Sequence, residues 1–280
     1  MRVLITGAGG QLGTDLTSVF ESAGDTVTAL DRAGLDITDV DAVDSAIQTT
    51  SPDVVIHSAA FTAVDACETK TEHAWSVNTT GSWNVARACD TYDAQMVYVS
   101  TDYVFDGSLG RPYTEFDPTC PVSMYGRTKE AGEQKVRDSL PQHYIVRTSW
   151  VHGAAGGNFA KTMLRLGRER DAVQVVDDQC GSPTFTDDLA AQIRRLTQTD
   201  AYGTYHLTNT GHCTWFEFAK LIFELADVTV DLTPTDTASF GAPAPRPAYS
   251  VLDNLMSRQI GLPAMPAWED SLARLIERIA

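Results

Sequence analysis

Residues Val3–Gly13, VLITGAGGQLG, join an apolar run to a series of spaced glycines. The run Arg2–Thr6 predicts a buried β-strand, and Gln11–Ala23 predicts an amphipathic helix. The turn between them has the pattern GxxGxxG, with glycines at Gly7, Gly10 and Gly13. Glycine permits a tight turn and lets backbone N–H groups approach a pyrophosphate, while the helix N-terminus offers its dipole to the negative charge. Because the pattern lies between a strand and a helix, it predicts a phosphate cradle rather than a plain structural turn.

Outward from this stretch, apolar strands and amphipathic helices alternate through the first half of the chain. Further strands are predicted at Thr26–Leu30, Asp53–His57, Met96–Ser100 and His143–Thr148. Helices are predicted at Val40–Thr49, Thr71–Tyr92 and Ser123–Asp138, the first of them capped by Thr38 or Asp39. Such alternation indicates a parallel sheet with helices on both faces. The predicted fold class is therefore α/β, with a Rossmann-type doubly wound parallel sheet.

After Thr148 the alternation becomes less regular. Helices are predicted at Asn158–Arg170, Asp187–Thr197, Thr214–Ala226 and Trp268–Ile279, and short strands at Val173–Val176 and Gly203–Leu207. The proline-rich segment Ser239–Ser250 predicts a loop. We expect residues 1–150 to form an NAD(P)-binding Rossmann domain, allowing for later returns of the chain. Residues 151–280 are then mainly a smaller α/β substrate-binding lobe that is not cleanly contiguous.

The composition excludes several classes of function. Among 280 residues, 37 are acidic and 21 are basic, and the formal net charge is −16. Such a surface repels phosphate backbones, so we do not expect nucleic-acid binding. The five cysteines are scattered without a CxxC pair, which indicates reduced thiols. Because no segment has the pattern of a signal peptide or a membrane span, we expect a cytoplasmic protein that does not bind membranes.

The acidic residues are mostly Asp, and only five of the basic residues are Lys. An Asp-rich, Lys-poor surface is typical of proteins from halophilic organisms, although a GC-rich genome also favours Arg over Lys. We therefore expect a halophilic protein whose stability falls when salt is removed.

Two neighbouring charges at the end of the second strand bear on the choice of dinucleotide. The carboxylate of Asp31 would bind the ribose hydroxyls of NAD and repel a 2′-phosphate, whereas Arg32 would attract that phosphate. The two residues argue in opposite directions, so NADH and NADPH both stay open. The predicted cofactor-binding residues are Gly7, Gly10, Gln11, Leu12, Gly13, Asp31, Arg32, Asp36, Ile37, Ala59, Ala60, Tyr125 and Lys129.

A second motif lies in Ser123–Gln134, SMYGRTKEAGEQ, which predicts a helix. Tyr125 and Lys129 are four positions apart and so share one helix face. A tyrosine can donate a proton to a carbonyl that is reduced by hydride, and a nearby ammonium lowers the pKa of that tyrosine. Thr101, at the carboxyl end of the preceding strand, can donate a hydrogen bond to the same carbonyl. A lone YxxxK is a weak signal, but in this order, after the glycine turn, it predicts a reductase with Thr101, Tyr125 and Lys129 as catalytic residues.

Several further segments resemble one family. They are STDYVFDG (100–107), YGRTKEAGE (125–133), RTSWV (147–151), NFAKTMLRL (158–166) and DDQCGSPT (177–184). These segments lie in both lobes and resemble the dTDP-4-dehydrorhamnose reductases of the extended short-chain dehydrogenase/reductase superfamily. The resemblance implies NAD(P)H-dependent reduction of the C4 keto group of dTDP-4-dehydro-L-rhamnose to dTDP-L-rhamnose, the last step of dTDP-rhamnose synthesis. It also implies contacts to this dTDP-sugar at Thr62, Val64, Asp102, Tyr103, Trp150 and Arg246.

The resemblance leaves alternatives open. Nucleotide-sugar dehydratases carry an Asp-Glu pair after the strand-end Thr, and the order Thr101-Asp102-Tyr103 lacks that Glu. Epimerases typically carry a Ser-rich segment at this point, which is also absent. Another nucleotide-sugar reductase or an epimerase stays an alternative. A non-catalytic cofactor-binding protein, similar to the regulatory beta subunit of methionine adenosyltransferase, is the alternative from a different class.

Some bacterial relatives bind magnesium between subunits through helix carboxylates. Asp15 and Asp187 stand at what look like the matching positions, each as Asp in place of Glu. Two carboxylates need further ligands from a partner to complete an octahedral site, and exposed acids are common on an acidic protein. We therefore expect NADPH or NADH as the cofactor, magnesium only if Asp15 and Asp187 bind it, and a homodimer as the assembly that would hold it.

Overall fold

The computed structural model describes residues 1–280. Its strands are β1 (Arg2–Thr6), β2 (Thr26–Leu30), β3 (Val54–His57), β4 (Gln95–Thr101), β5 (His143–Thr148), β6 (Val151–His152), β7 (Ala172–Val176), β8 (Cys180–Gly181), β9 (Thr184–Phe185), β10 (Gly203–His206), β11 (Cys213–Thr214) and β12 (Asp231–Thr235). Its helices are α1 (Gln11–Ser22), α2 (Val40–Thr50), α3 (Val64–Thr69), α4 (Thr71–Trp75), α5 (Ser82–Thr91), α6 (Met124–Ser139), α7 (Phe159–Glu169), α8 (Thr186–Leu196), α9 (Trp215–Leu225), α10 (Thr237–Phe240), α11 (Leu255–Gln259) and α12 (Trp268–Ile279). A π-helical turn, Ser76–Gly81, joins α4 to α5, and a 3-10 turn, Asp102–Val104, follows β4.

Six parallel strands form the central sheet, in the order β10-β5-β4-β3-β1-β2. In β1, Val3 lies opposite Val27 of β2 on one side and Val54 of β3 on the other. The next two strands of the chain, β2 and β3, therefore lie on opposite sides of β1. This change of direction creates a switch point at the carboxyl ends of β1 and β3. Ligands of doubly wound sheets bind in the crevice at such a point. The predicted α/β class with a Rossmann-type sheet is confirmed.

Helices cover both faces of the sheet. One buried cluster joins α1 and α8 to the sheet and includes Leu16, Phe20 and Leu189. The other joins α2, α5 and α6 to the opposite face and includes Val43 and Val85. Because these strands contact apolar side chains on both faces, their sequences, such as RVLIT and VVIH, lack the alternation of a half-exposed strand.

The second half of the chain builds a smaller lobe and also returns to the main sheet. In the lobe, α7, α9 and α12 pack with β7 and β9 around Phe218, Phe223 and Leu272. The chain returns as β10, the sixth strand of the sheet, and as α8 on one of its faces. The division at residue 150 into two domains stays a prediction. None of the helices combines the length and the apolar character that crossing a lipid bilayer requires.

Two predicted elements differ from the structure, and one short helix was not predicted. The helix predicted at Thr71–Tyr92 contains the π-helical turn, where one extra residue enters the helical ladder. The segment Val64–Thr69 forms a separate short helix that was not predicted. The predicted loop Ser239–Ser250 begins inside α10, because the side chain of Asp236 accepts a hydrogen bond from the Ser239 N–H and caps a single helical turn.

Gln11, the first residue of α1, links the glycine turn to the smaller lobe. Its Oε1 accepts hydrogen bonds from the Gly153 N–H at 2.9 Å and from the Asn158 side-chain amide at 2.8 Å. Asn158 in turn caps α7 by accepting a hydrogen bond from the Lys161 N–H at 3.0 Å. The helix that follows the glycine turn and the first helix of the smaller lobe thus share one polar contact.

The glycine turn is packed too closely for side chains at two positions. Gly7 has a φ of +72°, and a Cβ there would lie 2.7 Å from the backbone of Ala59. A Cβ at Gly13 would overlap the Gly7 carbonyl oxygen and lie 2.6 Å from the Cα of Ala8. Both glycines are therefore required for β1, α1 and the end of β3 to approach one another.

We expect Gly13→Ala to lower the free energy of unfolding by roughly 1–3 kcal/mol, because the added methyl group forces the backbone of the turn apart. Urea denaturation measures the change. Gly157→Ala is the matched control, because its Cβ would meet nothing within 4 Å. Equal stability of the two variants would contradict the close packing described for the turn.

Candidate active site

A cavity of about 1130 Å³ opens at the carboxyl ends of the central strands. It exceeds the roughly 300–1,000 Å³ typical of small-ligand pockets, so a ligand as large as a dinucleotide fits. Every predicted cofactor-binding and catalytic residue lines it: Gly7, Gly10, Gln11, Leu12, Gly13, Asp31, Arg32, Asp36, Ile37, Ala59, Ala60, Thr101, Tyr125 and Lys129. The switch point of the sheet thus brings the glycine turn and the YxxxK helix to one space.

Two glycines allow α6 to approach the end of β4. A Cβ at Gly126 would overlap the carbonyl oxygen of Tyr103, and a Cβ at Gly132 would lie 2.5 Å from the carbonyl oxygen of Asn78. No side chain larger than hydrogen fits at either position without moving the backbone. The helix therefore lies directly against the turn after β4, which brings Tyr125 to the strand end.

The phenol of Tyr125 is buried beside Tyr103, with the two ring centroids 5.6 Å apart. Burial raises the pKa of Tyr125 above its usual value, and the neighbouring Thr101 side chain lowers it by less. Burial sets the direction of this shift and Lys129 donates its hydrogen bond to the Val99 carbonyl oxygen, so the lowering of this pKa by Lys129 stays a prediction. The phenol is consequently protonated at neutral pH, as a proton donor must be.

Lys129 is almost fully buried, and its Nζ donates a hydrogen bond to the Val99 carbonyl oxygen at 2.7 Å. The same Nζ lies 4.1 Å from the centre of the Tyr98 ring. Burial lowers the pKa of Lys129 to about 7, and the carboxylate of Glu133, one helical turn away, opposes that shift. An ammonium has three N–H donors, and only one is used here, so Lys129 retains donors for a ligand in the cavity.

Thr101, the last residue of β4, lies in a chain of hydrogen bonds. Its Oγ1 accepts from the Tyr103 N–H at 3.2 Å and donates to Asp102 Oδ1 at 3.0 Å. Asp102 Oδ2 accepts from the Ser250 hydroxyl at 2.6 Å. Burial raises the pKa of Asp102 to about 6, although both hydroxyl groups lower it. Asp102 is a predicted substrate contact, and both of its carboxylate oxygens are already engaged within the protein.

The charged residues after β2 differ in how they are held. Asp31 Oδ1 accepts hydrogen bonds from the N–H groups of Ala33 at 3.0 Å and Gly34 at 2.9 Å, which closes a turn. Arg32 is exposed and forms no ion pair. An anionic ligand can therefore contact Arg32 without displacing a partner.

Five of the six predicted substrate residues line the cavity: Thr62, Val64, Asp102, Tyr103 and Trp150. Trp150 has a φ of +45°, and its indole stacks on Trp215 with ring centroids 3.5 Å apart. A left-handed tryptophan is strained, and such residues cluster at functional sites. Arg246 is not in the cavity wall, because its guanidinium donates to Asp65 Oδ2 at 3.0 Å. A guanidinium has five N–H donors, and Arg246 uses one on Asp65 and one on the Ala244 carbonyl oxygen, so the predicted diphosphate contact stays a prediction.

The two candidate magnesium ligands lie on α1 and α8, which pack together. Asp15 accepts a hydrogen bond from the Thr186 hydroxyl, and Arg274 and Arg278 lie within 4.0 Å of Asp187. No group of three or more His, Cys, Asp or Glu side chains could hold a metal ion. The nearby guanidinium groups compete with a cation for Asp187, so the pair fits magnesium poorly within one chain, and a site shared between subunits stays a prediction.

Comparisons with known proteins match these features. The family model described as the RmlD substrate binding domain matches residues 1–280. A dTDP-4-dehydrorhamnose reductase from Streptomyces griseus is 45% identical over 278 residues, which cover 97% of this chain and 91% of the relative. The chain belongs to the dTDP-4-dehydrorhamnose reductase family. The predicted resemblance and the predicted enzyme class, an NAD(P)H-dependent oxidoreductase, are confirmed.

Other members of the family include a solved structure and a relative named for a different sugar. The crystal structure of the dTDP-4-dehydrorhamnose reductase of Bacillus anthracis in complex with NADP is 45% identical, with a TM-score of 0.97 and coverage of 99% of this chain and 98% of that chain. A relative from Streptomyces niveus named dTDP-4-keto-6-deoxy-D-glucose reductase is 40% identical over 277 residues, covering 98% of this chain and 96% of the relative. Relatives with similar sequence identity to this chain are thus named for reductases of different sugars.

Asn78, which was not predicted to act at the site, holds one wall of the cavity. It is fully buried in the π-helical turn, and its side chain bonds both the N–H of Phe61 at 2.7 Å and the carbonyl of Phe61 at 3.1 Å. It also donates to the Thr128 hydroxyl of α6 at 3.1 Å. In the sequence, Asn78 is recognisable only as a polar residue on the apolar face of a predicted helix. That pattern favours a buried structural role as strongly as a functional one.

The pKa of Lys129 predicts a pH-dependent stability. The pKa of Lys129 falls from near 10.4 in the unfolded chain to about 7 in the folded protein. Below pH 7 the buried ammonium therefore lowers the free energy of unfolding by its full amount. As the pH rises above 7, Lys129 becomes neutral in the folded protein and this destabilisation disappears. We expect Lys129→Met to raise the free energy of unfolding of the unliganded protein most below pH 7, with a gain that shrinks towards pH 9. Urea denaturation between pH 6 and pH 9 measures it.

The exposed residue Lys220 provides the matched control, since Lys220→Met removes the same charge from a side chain that is 65% exposed. Its effect on the free energy of unfolding should not change with pH. A gain for Lys129→Met that is constant across this range would show that the buried ammonium is fully compensated.

Proposed function

We propose that this protein reduces the C4 keto group of dTDP-4-dehydro-L-rhamnose with NADPH and so forms dTDP-L-rhamnose. The observation that carries the proposal is the convergence of Thr101, Tyr125 and Lys129 in one cavity that continues to the glycine turn. Family membership and the activity for which the relatives are named support this choice of sugar nucleotide.

In this mechanism the three residues divide the work at the C4 carbonyl. Tyr125, held protonated by burial, donates its proton to the oxygen that becomes the new hydroxyl. Thr101 donates a hydrogen bond to the same oxygen and polarises the carbonyl. Lys129 uses its remaining N–H donors to bind ribose hydroxyls and stabilises the phenolate that Tyr125 leaves behind. Bound NADPH supplies the hydride.

The choice of NADPH over NADH rests on the two charges after β2. Arg32 lines the cavity, is exposed and has no ion-pair partner, whereas Asp31 already accepts two backbone hydrogen bonds. A free guanidinium favours a 2′-phosphate, to which it can donate two parallel hydrogen bonds. The relative from Bacillus anthracis was solved with NADP, which agrees with this choice.

Tyr125→Phe tests the reaction. We expect it to lower kcat by roughly 10²–10⁴-fold, because the proton donor is removed. Binding of NADPH, measured by fluorescence titration, should change little. Turnover is followed as loss of NADPH absorbance with a dTDP-4-keto sugar made by coupled synthesis enzymes.

The matched control is Tyr92→Phe, since the hydroxyl of Tyr92 bonds Asp44 on the surface and faces no part of the cavity. It should keep wild-type turnover. If wild-type protein binds NADPH but reduces no 4-keto sugar, the reductase proposal fails and the regulatory alternative gains support. Turnover of dTDP-4-keto-6-deoxy-D-glucose in preference to the rhamnose precursor would identify the other reductase instead.

Arg32→Ala tests the cofactor preference. We expect it to weaken NADPH binding by roughly 10–100-fold, because a charge-assisted hydrogen bond to the 2′-phosphate is lost. Binding of NADH should stay within a few-fold of wild type. Arg165→Ala, which removes an exposed guanidinium of α7, is the control and should change neither affinity. Equal losses for the two dinucleotides would contradict a role for Arg32 at the phosphate.

Other expectations from the sequence stay predictions. They are a homodimer, magnesium binding, a cytoplasmic location, the absence of nucleic-acid binding and a halophilic dependence of stability on salt. Light scattering after size-exclusion chromatography, with or without magnesium, tests the first two of these, and urea denaturation at low and high salt tests the last.

A further inference from the structure

Asp102 is a buried carboxyl group that the mechanism above does not use. Its side chain is 1% exposed, and no cationic side chain forms an ion pair with it. Its two oxygens accept hydrogen bonds from Thr101, at 3.0 Å, and from Ser250, at 2.6 Å, and the backbone N–H groups of Asp102 and Tyr103 also lower its pKa. An ionised carboxylate in such a place is costly unless it is paired, so burial shifts the equilibrium of Asp102 towards the neutral acid.

The Thr101 hydroxyl makes two hydrogen bonds within its own turn, and it also lies beside the Tyr125 phenol, whose pKa it lowers. A hydroxyl group has one proton to donate and two lone pairs that accept. In Thr101, one lone pair takes the Tyr103 N–H at 3.2 Å, and the proton goes to Asp102 Oδ1. While Asp102 is ionised, Thr101 has only one lone pair left for the cavity. It can accept a hydrogen bond there, but it has no proton with which to polarise a carbonyl.

Protonation of Asp102 reverses this arrangement without moving any heavy atom. The acid proton on Oδ1 then donates to Thr101 Oγ1, and the two lone pairs of that oxygen are filled by Asp102 and the Tyr103 N–H. The proton of Thr101 is released and can point into the cavity. Ser250 continues to donate to Oδ2 in both states.

We propose that Asp102 is a positioning residue that acts in its neutral form and makes Thr101 a hydrogen-bond donor to the substrate carbonyl. This proposal rests on the proposed reductase function, and it assigns Asp102 a role through Thr101 in place of the predicted direct substrate contact. A carboxylic acid kept neutral by an apolar site so that it can donate a hydrogen bond is an established catalytic device in other enzymes.

The surroundings of Asp102 agree with a neutral acid. The titratable groups that face it are Tyr103 in the same turn and Tyr125 of α6, and the Arg246–Asp65 ion pair acts on Tyr103. Burial is the largest influence on Asp102 and raises its pKa to about 6, while the hydrogen bond from Ser250 lowers it. Ser250 belongs to the segment before β-bridge residue Leu252 in the second half of the chain, so that half contributes directly to the state of Thr101.

Asp102→Asn is the decisive variant, because an amide copies the neutral acid. Its N–H group can donate to Thr101 and its carbonyl can accept from Ser250. We expect its kcat at pH 6 to stay within roughly tenfold of wild type. Above the pKa of Asp102, the ratio of variant kcat to wild-type kcat should rise by about tenfold per pH unit, since only wild type ionises. The ratio cancels the titrations of Lys129 and Tyr125, which both proteins share.

Ser250→Ala provides a second, independent variant. It removes a hydrogen bond that stabilises the ionised carboxylate, so the pKa of Asp102 rises and the alkaline fall in kcat moves to higher pH. Asp106→Asn is the control, because Asp106 bonds Ser108 and Tyr113 away from the cavity. It should leave the pH profile unchanged. Thermal unfolding of each variant shows that the fold is kept.

Infrared spectroscopy of the wild-type protein with bound NADPH gives a readout that does not depend on turnover. A protonated carboxylic-acid band should be present at pH 6, absent from Asp102→Asn, and shifted to a higher titration midpoint in Ser250→Ala. Absence of that band, or a flat ratio of kcat values, overturns the proposal. If wild type reduces no keto sugar, the proposed function fails, whereas the band still decides the protonation of Asp102.

Discussion

The buried carboxylate of Glu133 fixes the geometry on which the site depends. It accepts hydrogen bonds from the Ser100 hydroxyl of β4 at 2.6 Å and from the Arg147 guanidinium of β5 at 2.9 and 2.7 Å. Arg137 of the same helix reaches it at 2.6 Å. Breaking a buried pair by removing one partner typically costs 3–5 kcal/mol, so α6 cannot slide along the sheet without a large loss. The positions of Tyr125 and Lys129 follow, because they lie two turns and one turn before Glu133.

Burial shifts the proton-exchanging groups of this site towards their neutral forms. Burial raises the pKa of Tyr125 and of Asp102, and it lowers the pKa of Lys129. Glu133 is the exception, and it stays ionised because Arg147 and Arg137 surround it. The ionised Glu133 that holds α6 in place thus lies one helical turn away from Lys129, the nearest residue of the catalytic set on that helix.

Sequence alone predicted the parts of the molecule in which local pattern and tertiary structure agree. The apolar runs of the central sheet were predicted, as was a cap at Thr38 or Asp39, of which the structure has Asp39, because a strand buried on both faces and an N-cap have signatures within a few residues. Strand β12 was not predicted, because Pro234 argues against a strand and is tolerated only in a two-stranded pair outside the main sheet.

The contacts at the site that join distant parts of the chain could not be predicted from sequence. The pairing of Asp102 with Ser250 joins residues 148 positions apart, and the ion pair of Arg246 with Asp65 joins residues 181 positions apart. Neither leaves a local pattern in the chain. The resemblance identified Asp102 and Arg246 from sequence motifs alone. The structure adds that they are hydrogen-bonded to Ser250 and Asp65, respectively.

The contact of Gln11 with Gly153 and Asn158 has a consequence for protein engineering. Recombination of the two halves of related reductases would separate a residue of the first glycine turn from the cap of α7. A chimera that carries Gln11 from one parent and Asn158 from another keeps its interface only if both parents use the same pair. Exchange of specificity between relatives is therefore better done by replacing cavity residues within one chain than by exchanging whole lobes.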